Sequence, residues 1–229
     1  MAEQERGLRS DDPANNQLRV DVASMLRELG HEFVARDLRD EDLADTRVVV
    51  AELLDRVRQT PVRNRRLRSG AAAQFALSIP AEGQRERHQL FSDSIISGGA
   101  NPMGLGATLW RDGDVAVMEV VLGRAFEGAP GRAHGGVIAA LIDETMGLAM
   151  GIQGALAFTV KLDITYRAPT PIGEPIQARA WFEQRQGRKL TIKAVVSANE
   201  VVVAEAEGLF VTVNPEKFLA GLIEPSSPS

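Results

Sequence analysis

The chain has 229 residues, a net charge of −5, and an ordinary balance of 44% hydrophobic and 25% charged residues. That length suits one generous domain, or one domain with an extension, and the negative balance argues against a molecule-wide nucleic-acid footprint. There is no cysteine, which excludes disulfides, a cysteine nucleophile and thiolate metal sites.

Residues 1–16 are polar and charged, without the apolar core of a signal peptide, and read as disordered. Leu18, Val22, Met25, Leu26, Leu29 and Phe33 then recur at helical spacing. Asp40-Glu41-Asp42 forms the acidic first turn of a second helix carrying Leu43, Val50, Leu53, Leu54 and Val57. Residues 17–59 are therefore expected to form a helical hairpin. An arginine run follows, from Arg56 and Arg58 through Arg63, Arg65, Arg66 and Arg68. It reads as a solvated linker, with a patch for phosphate or an acidic partner as the sharper alternative. The hairpin is acidic and lacks the tight glycine-bearing turn of a helix-turn-helix, so no nucleic-acid partner is expected. The expected division is a disordered start over 1–16, a helical extension and basic linker over 17–69, a folded domain over 70–214 and a tail over 215–229.

Residues 70–103 read as irregular, with turn signals at Gly98-Gly99 and Asn101-Pro102. Strands follow at Ala107 to Arg111 and, after an Asp112-Gly113 turn, from Val115 to Leu122. A loop over 123–133 leads to the most informative stretch, Arg132-Ala133-His134-Gly135-Gly136 and the helical pattern from about 135 to 151. Gly136, Ala139, Ala140, Asp143, Gly147 and Gly151 share one slim face, with a single carboxylate in its middle. Val137, Leu141, Leu148 and Ile152 flank it on one side, Ile138 and Ile142 on the other. A helix apolar on nearly every side is expected to be buried, and its small face would let something approach closely. Gly135 and Gly136 offer backbone N–H groups at a helix N-terminus, where the dipole favours developing negative charge; that geometry suits the polarisation of a carbonyl. Glu144 lies one step round, between Leu141 and Leu148, and lacks the open groove.

After the helix, Phe158-Val160-Leu162-Ile164-Tyr166 alternate with polar residues, and further strands run from Pro175 to Gln184, through Leu190 to Val196 and from Val201 to Val213. Four consecutive antiparallel strands after one apolar helix predict an α+β fold in which a curved sheet wraps a long central helix. No uninterrupted apolar run reaches the length of a bilayer span, and the expected location is cytoplasmic.

This order resembles the hotdog-fold acyl-CoA thioesterases, in their phenylacetate-pathway (PaaI-like) branch. The resemblance rests on His134-Gly135-Gly136 with Asp143 nine residues after the histidine. Glu127-Gly128-Ala129-Pro130-Gly131, Tyr166-Arg167-Ala168-Pro169, Gly187-Arg188-Lys189 and the segment Ala204 to Phe210 are also similar; together they cover roughly 91–214. The resemblance implies that Asp143 is the catalytic carboxylate, that Thr159 is the second polar residue, and that His134 with the Gly135 and Gly136 amides forms the carbonyl-binding end. Thr165, Arg167, Arg188 and Lys189 fall where relatives contact coenzyme A. Some relatives carry Asn or Gln six residues before the histidine; here that position is Gly128.

Asp143 lies eight residues beyond Gly135, roughly 12 Å along a helix at about 1.5 Å per residue. One chain is thus not expected to bring both to one carbonyl, whereas two chains with antiparallel helices could. A homo-oligomer, dimer or tetramer, with the site at the subunit interface is expected. Asp143 would activate water as a general base or attack as a nucleophile, without a cofactor or metal. A hydratase is disfavoured, since the loop Ser97 to Gly104 has Gly99 and Gly104 where its acid–base pair would stand. The alternative from another class is a non-catalytic acyl-CoA-binding regulator.

Overall fold

The computed structural model describes residues 13–62, 79–85 and 92–214. The expected linker arginines Arg63, Arg65, Arg66 and Arg68, the tail over 215–229 and most of the disordered start lie outside the described residues. Helix α1 spans Pro13–Ala35, beginning inside the stretch read as disordered, and α2 spans Asp40–Arg58. Strands β1 (Thr108–Asp112) and β2 (Val115–Val121) form a hairpin. A single 3-10 turn, Arg124–Phe126, precedes the short pair β3 (Glu127–Ala129) and β4 (Arg132–Ala133). Helix α3 spans Gly135–Ile152, and β5 (Ala157–Tyr166), β6 (Pro175–Gln186), β7 (Lys189–Ala198) and β8 (Val201–Thr212) complete the chain order read from the sequence.

Six strands form one antiparallel sheet in the order β1-β2-β6-β7-β8-β5. Strands β6 and β7 alternate between buried and half-exposed residues, the period-two signature of a sheet with one face on the core. Ala116 on β2, Ala178 and Ala180 on β6 and Ala194 on β7 are buried, and their short side chains leave room for a helix to lie close. Helix α3 fills that room with Ile138, Leu141, Ile142 and Met146, none more than 1% exposed. The result is the hotdog architecture, a sheet curved around one long helix. By length and composition alone α3 could span a bilayer, but half of it is buried against the sheet, as in the core helix of a globular domain.

The helix departs from the sequence reading in one respect. Its small face is not enclosed: Ala139, Ala140, Asp143 and Gly147 are half-exposed and Gly136 is exposed. Among the described residues this stripe is only partly covered. The neighbouring strand β5 is the edge of the sheet and is nearly all exposed, with Phe158 at 50% and Val160 at 61%. Among the described residues no strand pairs with the outer side of β5, and an edge of this kind can template a further strand.

The two N-terminal helices differ. Helix α1 sits on the domain through Ala23, which is buried, through Arg27 and through His31. The His31 ring occupies the notch left by Gly123, meets Phe126 edge-on at 5.1 Å between centroids, and accepts the Ala125 N–H on Nδ1 at 3.2 Å. Helix α2 buries none of its residues.

Candidate active site

The β3–β4 pair delivers the chain to the start of α3. The Ala133 N–H donates to the Thr170 carbonyl and the His134 N–H to the Phe126 carbonyl, both at 2.9 Å. His134 is the N-cap, and its Nδ1 accepts the Gly136 N–H at 3.0 Å. The two amides expected to act together are therefore not equivalent. Gly136 spends its N–H on the histidine ring, which leaves Gly135 as the free first-turn donor among the described residues. The Gly135 carbonyl accepts the Tyr166 hydroxyl at 2.7 Å, and a Cβ on Gly135 would lie 3.2 Å from that oxygen. Tyr166 thus clamps the turn from the end of β5, a contact that no local sequence signal announced. A Cβ on Gly128 would lie 2.8 Å from the His134 Cα, so the backbone leaves no room for a side chain there.

Two helical turns on, Asp143 accepts the Thr159 hydroxyl on Oδ1 at 2.8 Å. These two residues, paired in the sequence reading only by resemblance, stand together at the wall of a cavity of about 470 Å³. The rest of that wall is mainly apolar, with Met118, Leu148, Met150 and Phe210 among it. This volume and lining suit a small organic group. Glu144 lines the same cavity, which its sequence neighbours did not foretell. Its carboxylate accepts the Ser94 and Ser97 hydroxyls and, at 3.1 Å, the Ser97 N–H. The serines lie almost fifty residues upstream in an irregular loop, so spacing could not reveal them. His134, Gly135 and Gly136 do not line this cavity; within one chain the carboxylate and the N-terminal turn are separate.

The four cations and hydroxyls expected to meet coenzyme A do not converge in one chain either. Thr165 and Arg167 lie at the end of β5 that carries Tyr166, and Arg167 forms an ion pair with Glu205 at 2.7 Å. Arg188 donates from Nε and Nη2 to the Thr212 carbonyl at 3.2 and 3.1 Å. It lies with Lys189 at the opposite end, where Lys189 and Phe158 both pair with Val211 on β8.

Comparison with known proteins bears on the fold and the family. Residues 130–205, which contain the turn, α3, β5, β6 and the clamp residues, match the thioesterase superfamily. The matched stretch leaves out β1, β2 and the end of β8. Acyl-coenzyme A thioesterase THEM4 of Mus musculus is 34% identical over 97 residues, which is 42% of this chain and 42% of that protein. The chain thus spans about two fifths of the length of the curated relative it matches. A crystal structure of protein RHA08564, described as a thioesterase superfamily protein, superposes with a TM-score of 0.67 at 23% identity, over 84% of this chain and 94% of that one. The PaaI protein of E. coli, from its phenylacetic acid degradation operon, matches with a TM-score of 0.46 at 20% identity, over 48% of this chain and 81% of that one. The RHA08564 likeness shows the fold, and because it extends over most of the chain it reaches beyond the matched stretch.

Proposed function

We propose that this protein hydrolyses an acyl-CoA thioester to the free acid and CoA, and that two copies build each site. The carrying observation is the Thr159–Asp143 pair at an apolar cavity, with the first-turn amide of Gly135, which has no partner among the described residues, outside it. The curated relative's name, acyl-coenzyme A thioesterase, supports the reaction class.

Pairing two β5 edges antiparallel about residues 162–163 sets Thr159 of one copy opposite Tyr166 of the other. Tyr166 holds Gly135, so the acid of one copy then faces the N-terminal turn of the other. The same pairing brings Arg188 and Lys189 of one copy to the Thr165–Arg167 end of the second, which gathers the cations for the CoA phosphates. The half-exposed small stripe of α3 supplies the close approach that such pairing needs.

In this site the thioester oxygen accepts the Gly135 N–H at the positive end of the α3 dipole. Asp143 takes a proton from water, the water oxygen bonds to the acyl carbon, and the carbon–sulfur bond breaks. The thiolate leaves and takes up the proton. Direct attack by the Asp143 carboxylate, giving an anhydride that water then cleaves, is the other route. Thr159 orients the carboxylate or its water.

The test is release of free thiol by the full chain from acetyl-, octanoyl-, hexadecanoyl- and phenylacetyl-CoA. Turnover by the wild type and its loss in Asp143→Asn are expected. If both proteins bind acyl-CoA and release CoA equally slowly, the protein is a binding module and the hydrolase reading is wrong.

A further inference from the structure

The segment from Ser92 to Gly106 contains neither helix nor strand, yet it is held from two sides. From inside, Glu144 on α3 accepts both serine hydroxyls and the Ser97 N–H. From outside, Arg27 on α1 donates from Nη1 to the carbonyls of Gly99 at 3.1 Å and Asn101 at 2.6 Å. Between the clamps the loop knits to itself, with Ala100 N–H to the Ser92 carbonyl and Leu105 N–H to the Ile95 carbonyl at 2.8 Å each. Ser97 is fully buried, and Ser94 lines the cavity beside Glu144 and Asp143.

Two adjacent carboxylates thus have different duties. Asp143 meets one hydroxyl, from Thr159. Glu144 receives three donors from one loop, an arrangement that fixes the loop rather than presenting charge to the cavity. We infer that Glu144 is a positioning residue for acyl-chain selection: it holds the 92–106 loop in place, so that Ser94 is a fixed part of the wall of the acyl pocket, and Arg27 braces the loop from behind. The inference rests on the acyl-CoA reading above. A wall held by buried hydrogen bonds cannot yield to a longer chain without leaving Ser97 unsatisfied; a wall set free can.

The measurement is the ratio of kcat/KM for hexadecanoyl-CoA to that for octanoyl-CoA, in the full chain. Glu144→Ala should raise it about tenfold, the scale on which a hydrophobic pocket discriminates chain length. Glu144→Gln keeps one acceptor oxygen and should fall between. Arg27→Met, whose site is not part of the cavity lining, should shift the ratio in the same direction. A general loss of stability would lower both rates and leave the ratio alone. Should Glu144→Ala fail to fold by circular dichroism, Glu144→Gln and Arg27→Met carry the test. A ratio within twofold of wild type in the folded variants overturns the inference, as does a shift in the Glu144 variants that Arg27→Met does not share. If the wild type binds acyl-CoA without hydrolysing it, the ratio is read from dissociation constants by calorimetry, and only the hydrolase reading falls. If it neither binds nor hydrolyses any acyl-CoA, both fall.

Discussion

The two faces of α3 have opposite constructions. Toward the sheet, Ile138, Leu141, Ile142 and Met146 present bulk and are sealed to 1% exposure or less. On the other side, Gly136, Ala139, Ala140 and Gly147 present almost no side chain and stay partly open. Bulk against the sheet holds the fold together, at roughly 1.5–3 kcal/mol for each large side chain buried. Smallness on the far side contributes little to one chain's stability and has its value in what it lets approach. The contrast separates two acids that are adjacent in sequence. Glu144 turns toward the loop that packs on the domain, and Asp143 stays on the slim face with Thr159.

The sharpest way to break this comparison is to alter each face and ask which property responds. On the open face, Asp143→Asn is expected to lower turnover about 10²–10⁴-fold, the usual contribution of a general base, while the denaturation midpoint stays within the small range of surface changes. On the sealed face, Ile142→Ala should cost about 2–5 kcal/mol in urea denaturation, and the remaining folded protein should keep its turnover. A variant at Ile142 that loses activity without losing stability would undo the division of labour. Gly147→Leu sharpens it further. Within one chain a Cβ at Gly147 meets nothing within 4 Å, so folding should survive. A second copy approaching the stripe would be obstructed, so light scattering should show dissociation, and turnover should fall as well, both through dissociation and because Gly147 lines the cavity. An intact oligomer with full activity would place the subunit contact elsewhere. Thr159→Ala, which removes one hydroxyl from Asp143, should cost about 0.5–1.5 kcal/mol, or roughly two- to twelvefold in kcat/KM, far less than loss of the acid itself.

How much of this was legible beforehand follows the range of each interaction. Strand order, hairpin turns and the extent of α3 were readable because period-two and helical patterning are local. The slim face and its acid were readable for the same reason. The Thr159–Asp143 contact needed the resemblance, since a threonine on a strand has β-propensity enough to explain its presence. Three features were out of reach. Ser94 and Ser97 sit in a stretch without periodicity and meet Glu144 only once the loop is folded. Tyr166 reads as one more apolar position of an alternating strand until its hydroxyl is found on the Gly135 carbonyl. The partial exposure of a helix with so apolar a composition is invisible to hydropathy, which does not know whether the neighbour that completes burial is in the same chain.

The smallest expected effect concerns the joint between α1 and the domain. His31 accepts the Ala125 N–H on Nδ1, a bond available only while that nitrogen carries no proton. Arg27 and Glu32 on α1 and Arg124 on the 3-10 turn surround the ring. Burial, with Arg27 adding to it, holds the His31 pKa below the ordinary 6.5, and Glu32 opposes them weakly. An imidazole depressed in the folded state is protonated first in the unfolded chain as pH falls. Its contribution is therefore complete above about pH 6.5 and is lost as pH descends from there through the lower folded value. His31→Gln keeps an acceptor and does not titrate. The urea midpoint of the wild type should fall more between pH 7.5 and 5 than that of the variant, and the difference between the two profiles reads the effect of the imidazole at this position. Parallel profiles would mean that the ring holds α1 to the domain by packing and not by its hydrogen bond.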